Sequence, residues 1–382
     1  VEKQLSKQGQ TGEQSQFLKG VRVVDFTRYL PGPFATLRLA DMGAEVIKVE
    51  PPKTGDPSRF MSEQMGGTGL LFQANNRNKK SVTLDLKREA GRKLAFDLAA
   101  KADVVIEGFR PGVADALGIG YEALKQVRPD LIYCSLSGFG QTGPLRELGG
   151  HDLNYLALSG VLAQLKDLEG RPVQPSFQFA DLIGGFAASE AILAALVKKS
   201  LTGEGSYLDI AMTDTLIGMM HTHVAYQLAM GYGHGVPILG GSLVCYRIYQ
   251  TSDNRFVTLG ALEKKFWENF CRAVGREEWI PAHFSRAADD NPVFAELRAL
   301  FASRTLSAWS RFAIEVDCCM APVLETAEMM DHPHVREKRL IPDQNTATAL
   351  APSLGQHTRE VLENWLDASS EQIDRWEQEG IV

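Results

Sequence analysis

Over its first 200 residues the chain alternates short apolar runs with segments of helical spacing, and few architectures accept that alternation. Val21 to Thr27 (VRVVDFT) reads as a buried strand. Gly32 and Pro33 follow, then a helical stretch from Phe34 to Asp41 that stops at Gly43. Glu45 to Val49 is the next strand, cut off by Pro51-Pro52. Ser81 to Leu86 alternates like a strand, and Arg88 to Lys101 has helical spacing. Asp103 to Ile106 is a strand, Tyr121 to Val127 a short helix, and Leu131 to Leu136 the last clear strand of the set. Strands separated by helices predict an α/β fold: an open, mostly parallel sheet covered on both faces. Ligands in such sheets lie beyond the C-terminal strand ends. The loops after Phe26, Val49, Ile106 and Leu136 are the candidate binding rim.

The middle of the chain changes character. A long apolar helix is expected from about Asp181 to Lys199, ended by the turn Thr202-Gly203-Glu204-Gly205. Another covers Asp214 to Ala229 and leads into a Gly-rich stretch, Gly231 to Ser242. Tyr246–Gln250, Thr251–Asn254 and Arg255–Leu259 then read as strand, turn and strand. They open a smaller α+β unit with helices near Lys264–Val274, Val293–Ala302 and Ser307–Val316. Further helical patterns fall at Arg359–Trp365 and Glu371–Glu379. Length suits two domains. The expected division is a tail over 1–17, a large Rossmann-like domain over 18–210 and 335–382, and a small domain over 225–330.

Composition removes several classes. A net charge of −7 argues against general nucleic-acid binding. No uninterrupted run of about 18 apolar residues occurs, so no membrane-spanning helix is expected. The first 16 residues are rich in Gln, Ser, Lys and Gly and lack the apolar core of a signal peptide. The cysteines, at 134, 245, 271, 318 and 319, form no CxxC pair. An odd count with two adjacent residues points to free thiols in a reducing cytoplasm. His221/His223 and His332/His334 have a spacing that does not put two ligands on one helix face, so no metal site is expected.

The segment Gly150-His151-Asp152 opens an apolar helical pattern, and Asp181 follows 30 residues after His151 inside an otherwise apolar run. A neutral histidine and an ionised aspartate both act as bases near neutral pH, and a helix start can stabilise an enolate oxygen between them. Asp181 is either the N-cap of the long helix or a desolvated functional group, roles that are compatible. Gly138-Phe139-Gly140-Gln141-Thr142-Gly143 matches GxGxxG after a strand. Pro144 and a polar segment follow where a dinucleotide fingerprint opens a helix, so a ligand-approach loop is expected instead. Asn75, Asn76, Arg77 and Asn78 precede Lys79-Lys80, a basic-amide cluster able to meet phosphates or simply solvated. Met212, Met219 and Met220 are candidates for an apolar wall or plain core.

Taken together, LKGVRVVDFTRYLPGPFAT (18–36), DMGAEVIKVEPP (41–52), NRNKKSVTLDL (76–86), ADVVIEGFRPG (102–112), SLSGFGQTGP (135–144) and LTGEGSYLDIAM (201–212) resemble the family III CoA-transferases, the CaiB–BaiF family, from about Leu18 to about Trp365. GHDLNYLALSGVL and Gly260-Ala261-Leu262-Glu263 look like the α-methylacyl-CoA racemase branch. The resemblance implies an interlocked homodimer of open rings, each with a Rossmann-like large domain and a small domain. It implies no permanently bound cofactor, an acyl-CoA thioester as substrate, and His151, Asp181 and Glu263 as catalytic residues. The Asp152 N–H, at a helix start, is the expected donor to the thioester oxygen. The resemblance places Leu30, Pro31, Asn75, Asn76, Arg77, Asn78, Gly108, Phe109, Arg110, Ser137, Gly138 and Phe139 around CoA. Pro51 and Ala116 stand where many members carry basic residues, so phosphate contacts are sought at Arg77, Lys79, Lys80 or Arg110. Lys264-Lys265 replaces the Pro-Gln usual after the branch glutamate.

The leading expectation is α-epimerisation of a 2-methylacyl-CoA by 1,1-proton transfer through an enolate. The alternative is CoA transfer to a carboxylic acid acceptor through an aspartyl-CoA intermediate on Asp181. A third possibility is a CoA-binding protein without activity.

Overall fold

The computed structural model describes residues 16–341 and 350–382, apart from 62, 168 and 234. Most of the expected N-terminal tail lies outside the described residues. The chain divides into two compact units, Val1–His221 with Pro342–Val382, and Thr222–Ile341.

The first unit is built on six strands: β1 Arg22–Asp25, β2 Glu45–Glu50, β3 Lys80–Thr83, β4 Val104–Glu107, β5 Ile132–Ser137 and β6 Ser206–Ala211. Their order is β3-β2-β1-β4-β5-β6, and every pairing is parallel. The order reverses at β1, so the crevice beyond the C-terminal ends of β1 and β4 is the topological switch point, where such sheets hold ligands. The strands β1 to β5 are rich in Val and Ile and largely buried, as parallel strands covered on both faces are, whereas the edge strand β6 stays partly exposed. Alternation splits their side chains between two cores. Val24, Ile47, Val82, Val105 and Tyr133 face one, and Val23, Val46, Val104, Ile106 and Ile132 the other.

The helices of this unit include α1 Pro31–Asp41, α2 Leu70–Asn76, α3 Glu89–Ala100, α4 Tyr121–Val127, α5 Asp152–Leu158, α6 Phe179–Thr202 and α7 Met212–Gly218. Proline at its first position starts α1, and Gly203 at φ 73° ends α6. By length and composition alone α6 could cross a membrane. Asp181, Ser189 and Glu190 interrupt its apolar run. Its Ala180, Ala188, Ile192 and Ala195 are buried in the second core among strand residues, the position of a core helix.

Two features depart from the sequence expectation. A sixth strand, β6, follows the turn after α6. The helix expected over Asp214 to Ala229 is broken at Met219-Met220 into α7 and a second helix, His221–Met230. Asp214 lies in the first turn of α7, whose N-cap is Ala211.

The segment from residue 350 returns to the large unit. Thr83 N–H donates to Thr358 Oγ1 at 3.0 Å, and Asp85 N–H to the Ile381 carbonyl at 2.7 Å. Val361, Leu362, Trp365, Ile373 and Ile381 complete the first core.

The second unit carries an antiparallel sheet of β7 Tyr246–Gln250, β8 Phe256–Gly260 and β9 Met320–Pro322, in the order β9-β8-β7. Its core is aromatic, with Trp267, Trp279 and Trp309 buried beside Phe270 and Phe301.

Candidate functional site

Two helix starts are tied together in the large unit. His151 is the N-cap of α5 in extended backbone, and its N–H donates to Asn154 Oδ1 at 3.0 Å. Asp152, the first residue of α5, accepts the backbone N–H of Asp181 at 3.0 Å. Asp152, next to His151 in the chain, therefore ties the start of α5 to the first turn of α6. The N-cap of α6 is Gln178, with Asp181 third in the helix, so the Asp181 carboxyl is not the cap that the sequence pattern allowed. Burial, and then the Asp152 charge, push Asp181 up to about 7. His151 is exposed and Asp181 half-buried.

Tyr155 fixes the approach to this point. Its Oη donates to the Gly150 carbonyl at 2.6 Å, and Phe139 meets its ring edge-on at 5.2 Å. A Cβ at Gly138 or Gly150 would overlap the Tyr155 ring, so both positions need glycine. The Gly138 carbonyl accepts Thr213 N–H at 3.1 Å and Thr213 Oγ1–H at 2.8 Å, which anchors the start of α7. Gly185, one turn after Asp181, lies against the Pro31 carbonyl, where a Cβ would approach to 2.6 Å. Ser137-Gly138-Phe139, Gly150-His151-Asp152, Asp181 and Leu30-Pro31 are thus linked contact by contact.

Three rim loops hang from carboxylates. Both Asp56 oxygens accept Tyr29 N–H at 3.2 Å. Glu107 Oε2 accepts Phe109 N–H at 2.7 Å. Asp209 accepts Gln141 N–H at 3.0 and 3.1 Å. Burial pushes Glu107 up to about 7, with the charges of Asp115 and Asp209 adding to the rise.

The cations and amides of the 75–80 cluster already have partners inside the chain. Arg77 and Asn78 both bind the Asp41 carboxylate. Asn75 and Asn76 donate to the Leu71 and Phe72 carbonyls. Lys80 bridges Glu45 at 2.9 Å and Glu360 at 2.7 Å. Lys79 is buried against Asp25, Asn76 and the Pro33 carbonyl. At the switch point Arg28 and Arg110 are exposed and have no ion pair among the described residues. Arg28 stands 6.0 Å over the Phe109 ring, and Arg110 lies beside Gly149. Sequence reading passed over Arg28; its signal was a cation in the loop after the first strand.

Glu263 belongs to the second unit, where it is the exposed N-cap of the helix Lys264–Ala273. Met212 is core, packed against Gly184, whereas Met219 is exposed. The GxGxxG segment forms a loop, and no helix follows until Asp152. Among the described residues no group of His, Cys, Asp and Glu could hold a metal ion.

The raised Asp181 has a signed effect on stability. Between about pH 4 and 7 the folded protein keeps a proton that the unfolded chain has released, so stability falls as pH rises through that window. Asp181→Asn removes this cost. The variant is expected to be about 1–3 kcal/mol more stable than wild type at about pH 8, after discounting for partial exposure, with the gain gone near pH 4. Urea unfolding at the two pH values checks this; an equal gain at both would assign the effect to packing.

A Rossmann-order sheet with two helix starts converging on a carboxyl of raised pKa is the frame of a ligand-processing α/β enzyme. The chain belongs to CoA-transferase family III, an enzyme family whose model matches residues 18–364. It is 35% identical over 371 residues to the alpha-methylacyl-CoA racemase of Mus musculus, across 91% of this chain and 93% of that one. It is 30% identical over 394 residues to the succinyl-CoA:glutarate CoA-transferase of Homo sapiens, across 96% and 90%. The crystal structure of a CAIB/BAIF family protein from Brucella suis superposes with a TM-score of 0.80 at 27% identity, over 91% of this chain and 99% of that one.

Proposed function

We propose that the protein inverts the α-carbon of a 2-methylacyl-CoA by 1,1-proton transfer, with His151 and Asp181 as the two bases. The observation that carries this reading is the Asp181 carboxyl, pushed up to about 7 at a helix start whose backbone is bonded to Asp152, the neighbour of His151. A group titrating near working pH both takes and gives a proton, which a two-base inversion demands. In one direction neutral His151 removes the α-proton and the C–H electron pair moves into the enolate. Protonated Asp181 then delivers its proton to the opposite face. The reverse direction exchanges these roles. Asp152 N–H has no acceptor inside its own helix and donates to the thioester oxygen as charge grows there. Glu263 is the third catalytic candidate, a role that rests on family resemblance. CoA lies along Leu30-Pro31, Gly108-Phe109-Arg110 and Ser137-Gly138-Phe139, and Arg28 and Arg110 supply cations for its phosphates. The test is one pure acyl-CoA, incubated with the protein alone in D₂O. Deuterium at the α-carbon is expected; its absence sinks the racemase reading.

The extensive similarity to a succinyl-CoA:glutarate CoA-transferase favours a second reading. In it ionised Asp181 attacks the thioester carbonyl, expels the CoA thiolate and forms an aspartyl anhydride. The thiolate then attacks the aspartyl carbonyl, freeing the first acid and leaving an aspartyl-CoA thioester for the acceptor carboxylate.

The working form is an interlocked homodimer in the cytoplasm. Phe186, Val197 and Leu201 on α6, with Met219 and Leu228 beyond it, are large apolar side chains left exposed, and all five cysteines are free. Linked rings separate only by unfolding, so two differently tagged preparations mixed under native conditions are expected to form no mixed dimers over days. Rapid exchange would exclude interlocking.

A further inference from the structure

We infer that a buried cluster of four ionisable side chains, Asp25, Lys48, Asp56 and Lys79, positions the rim segment Thr27–Pro33 for its ligand. The inference rests on the acyl-CoA reading, because Leu30 and Pro31 lie in that segment. Lys48 Nζ is 3.0 Å from Asp56 and Lys79 Nζ 3.4 Å from Asp25, and all four side chains are fully buried. Each member also grips the backbone of the segment. Lys48 Nζ donates to the Thr27 carbonyl at 2.8 Å. Asp25 accepts Thr27 N–H at 2.8 Å. Asp56 accepts Tyr29 N–H. Lys79 Nζ donates to the Pro33 carbonyl at 2.8 Å.

Stability alone does not account for such a cluster. Buried ion pairs are often no more stabilising than apolar side chains of the same volume, because desolvation cancels their attraction. What the cluster holds is a conformation the segment would not adopt unaided. Tyr29 has φ 65°, a region costly for an aromatic residue, while its ring stays exposed. The segment leaves β1 at the topological switch point, where a misplaced backbone changes ligand affinity directly.

The test uses the full chain. Lys48→Met/Asp56→Leu removes one ion pair without leaving a lone charge. Calorimetry with CoA and steady-state kinetics with the acyl-CoA substrate are compared with wild type. The Kd for CoA and the KM are expected to rise about 10-fold or more with kcat within about 3-fold, while the melting temperature falls because Tyr29 N–H, Ser58 N–H and the Thr27 carbonyl lose their partners. A folded double variant with wild-type Kd overturns the inference. A second pair of variants, on the exposed surface, keeps the test open if the first does not fold. Tyr29→Gly accepts a positive φ and is expected to keep CoA affinity within about 3-fold, whereas β-branched Tyr29→Val is expected to lose about 10-fold. Equal behaviour of the two overturns the inference: equal loss places the binding in the Tyr29 ring, and no loss shows that the conformation is irrelevant. Wild-type protein that fails to bind CoA sinks the acyl-CoA reading and this inference with it. Wild-type binding with an unchanged double variant sinks the inference alone.

Discussion

Asp181→Ala is expected to lower turnover by about 10⁴-fold or more while the fold and CoA binding survive. Both readings of the chemistry need this carboxyl, as a proton carrier in one and as a nucleophile in the other. The substitution leaves the scaffold intact because Asp181 contributes its backbone N–H, not its side chain, to the Asp152 contact. Nor is it the cap of α6, so the helix start keeps its bonds. Removing a half-buried carboxyl that holds its proton to about 7 also relieves a desolvation cost. The measurements are turnover, CoA binding by calorimetry and thermal unfolding. Wild-type activity in a folded variant would eliminate both mechanisms, whereas CoA binding by wild type without turnover of any acyl-CoA would leave a CoA-binding protein.

His151→Ala separates the two chemistries. If His151 handles the proton on one face of the α-carbon, inversion falls by about 10²–10⁴-fold, the usual range for a lost general base. Asp181 then still exchanges the α-proton of one stereoisomer in D₂O, because it reaches only its own face. Stereospecific exchange without inversion is therefore the expected signature. In a transferase His151 is off the reaction path. Acceptor-dependent release of CoA would continue, and hydroxylamine or borohydride would trap an adduct on Asp181. That adduct, with no α-deuteration by wild type, would reverse the assignment. The exposed position of His151 makes the alanine variant mild for folding.

The parallel sheet was legible because its inner strands are dense in Val and Ile and their helices have clear stop signals. β6 was not. It is an edge strand whose residues from Ser206 to Ile210 alternate between half-buried and exposed, so Tyr207 and Asp209 give it a polar, loop-like look. α2 was also hidden, since Asn-Asn-Arg-Asn reads as a loop. Here Asn75 and Asn76 spend their amides on carbonyls four residues back, which makes them compatible with a helix end. His151, Asp152 and Asp181 stood out as polar groups opening apolar helices. The bond from Asp181 N–H to Asp152 crosses 29 residues and leaves no trace in local pattern. The buried charges were visible but unread: Lys48 and Glu50 interrupt EVIKVE, where a strand buried on both faces tolerates a charge only with a partner.

The return of the segment beyond residue 350 to β3 gives this molecule an order of events. Val361, Leu362, Trp365, Ile373 and Ile381 fill a core whose other walls are made by the first third of the chain. A ribosome adding about 5–20 residues per second makes the whole Thr222–Ile341 unit before those side chains exist, a delay on the order of ten seconds. During that interval Val82, Leu84 and Leu98 lack their final cover, and the nascent large unit presents an apolar surface to chaperones and to other copies of itself. Expression that outruns chaperone supply should therefore yield aggregates seeded by this half-built core, even when the finished protein is stable.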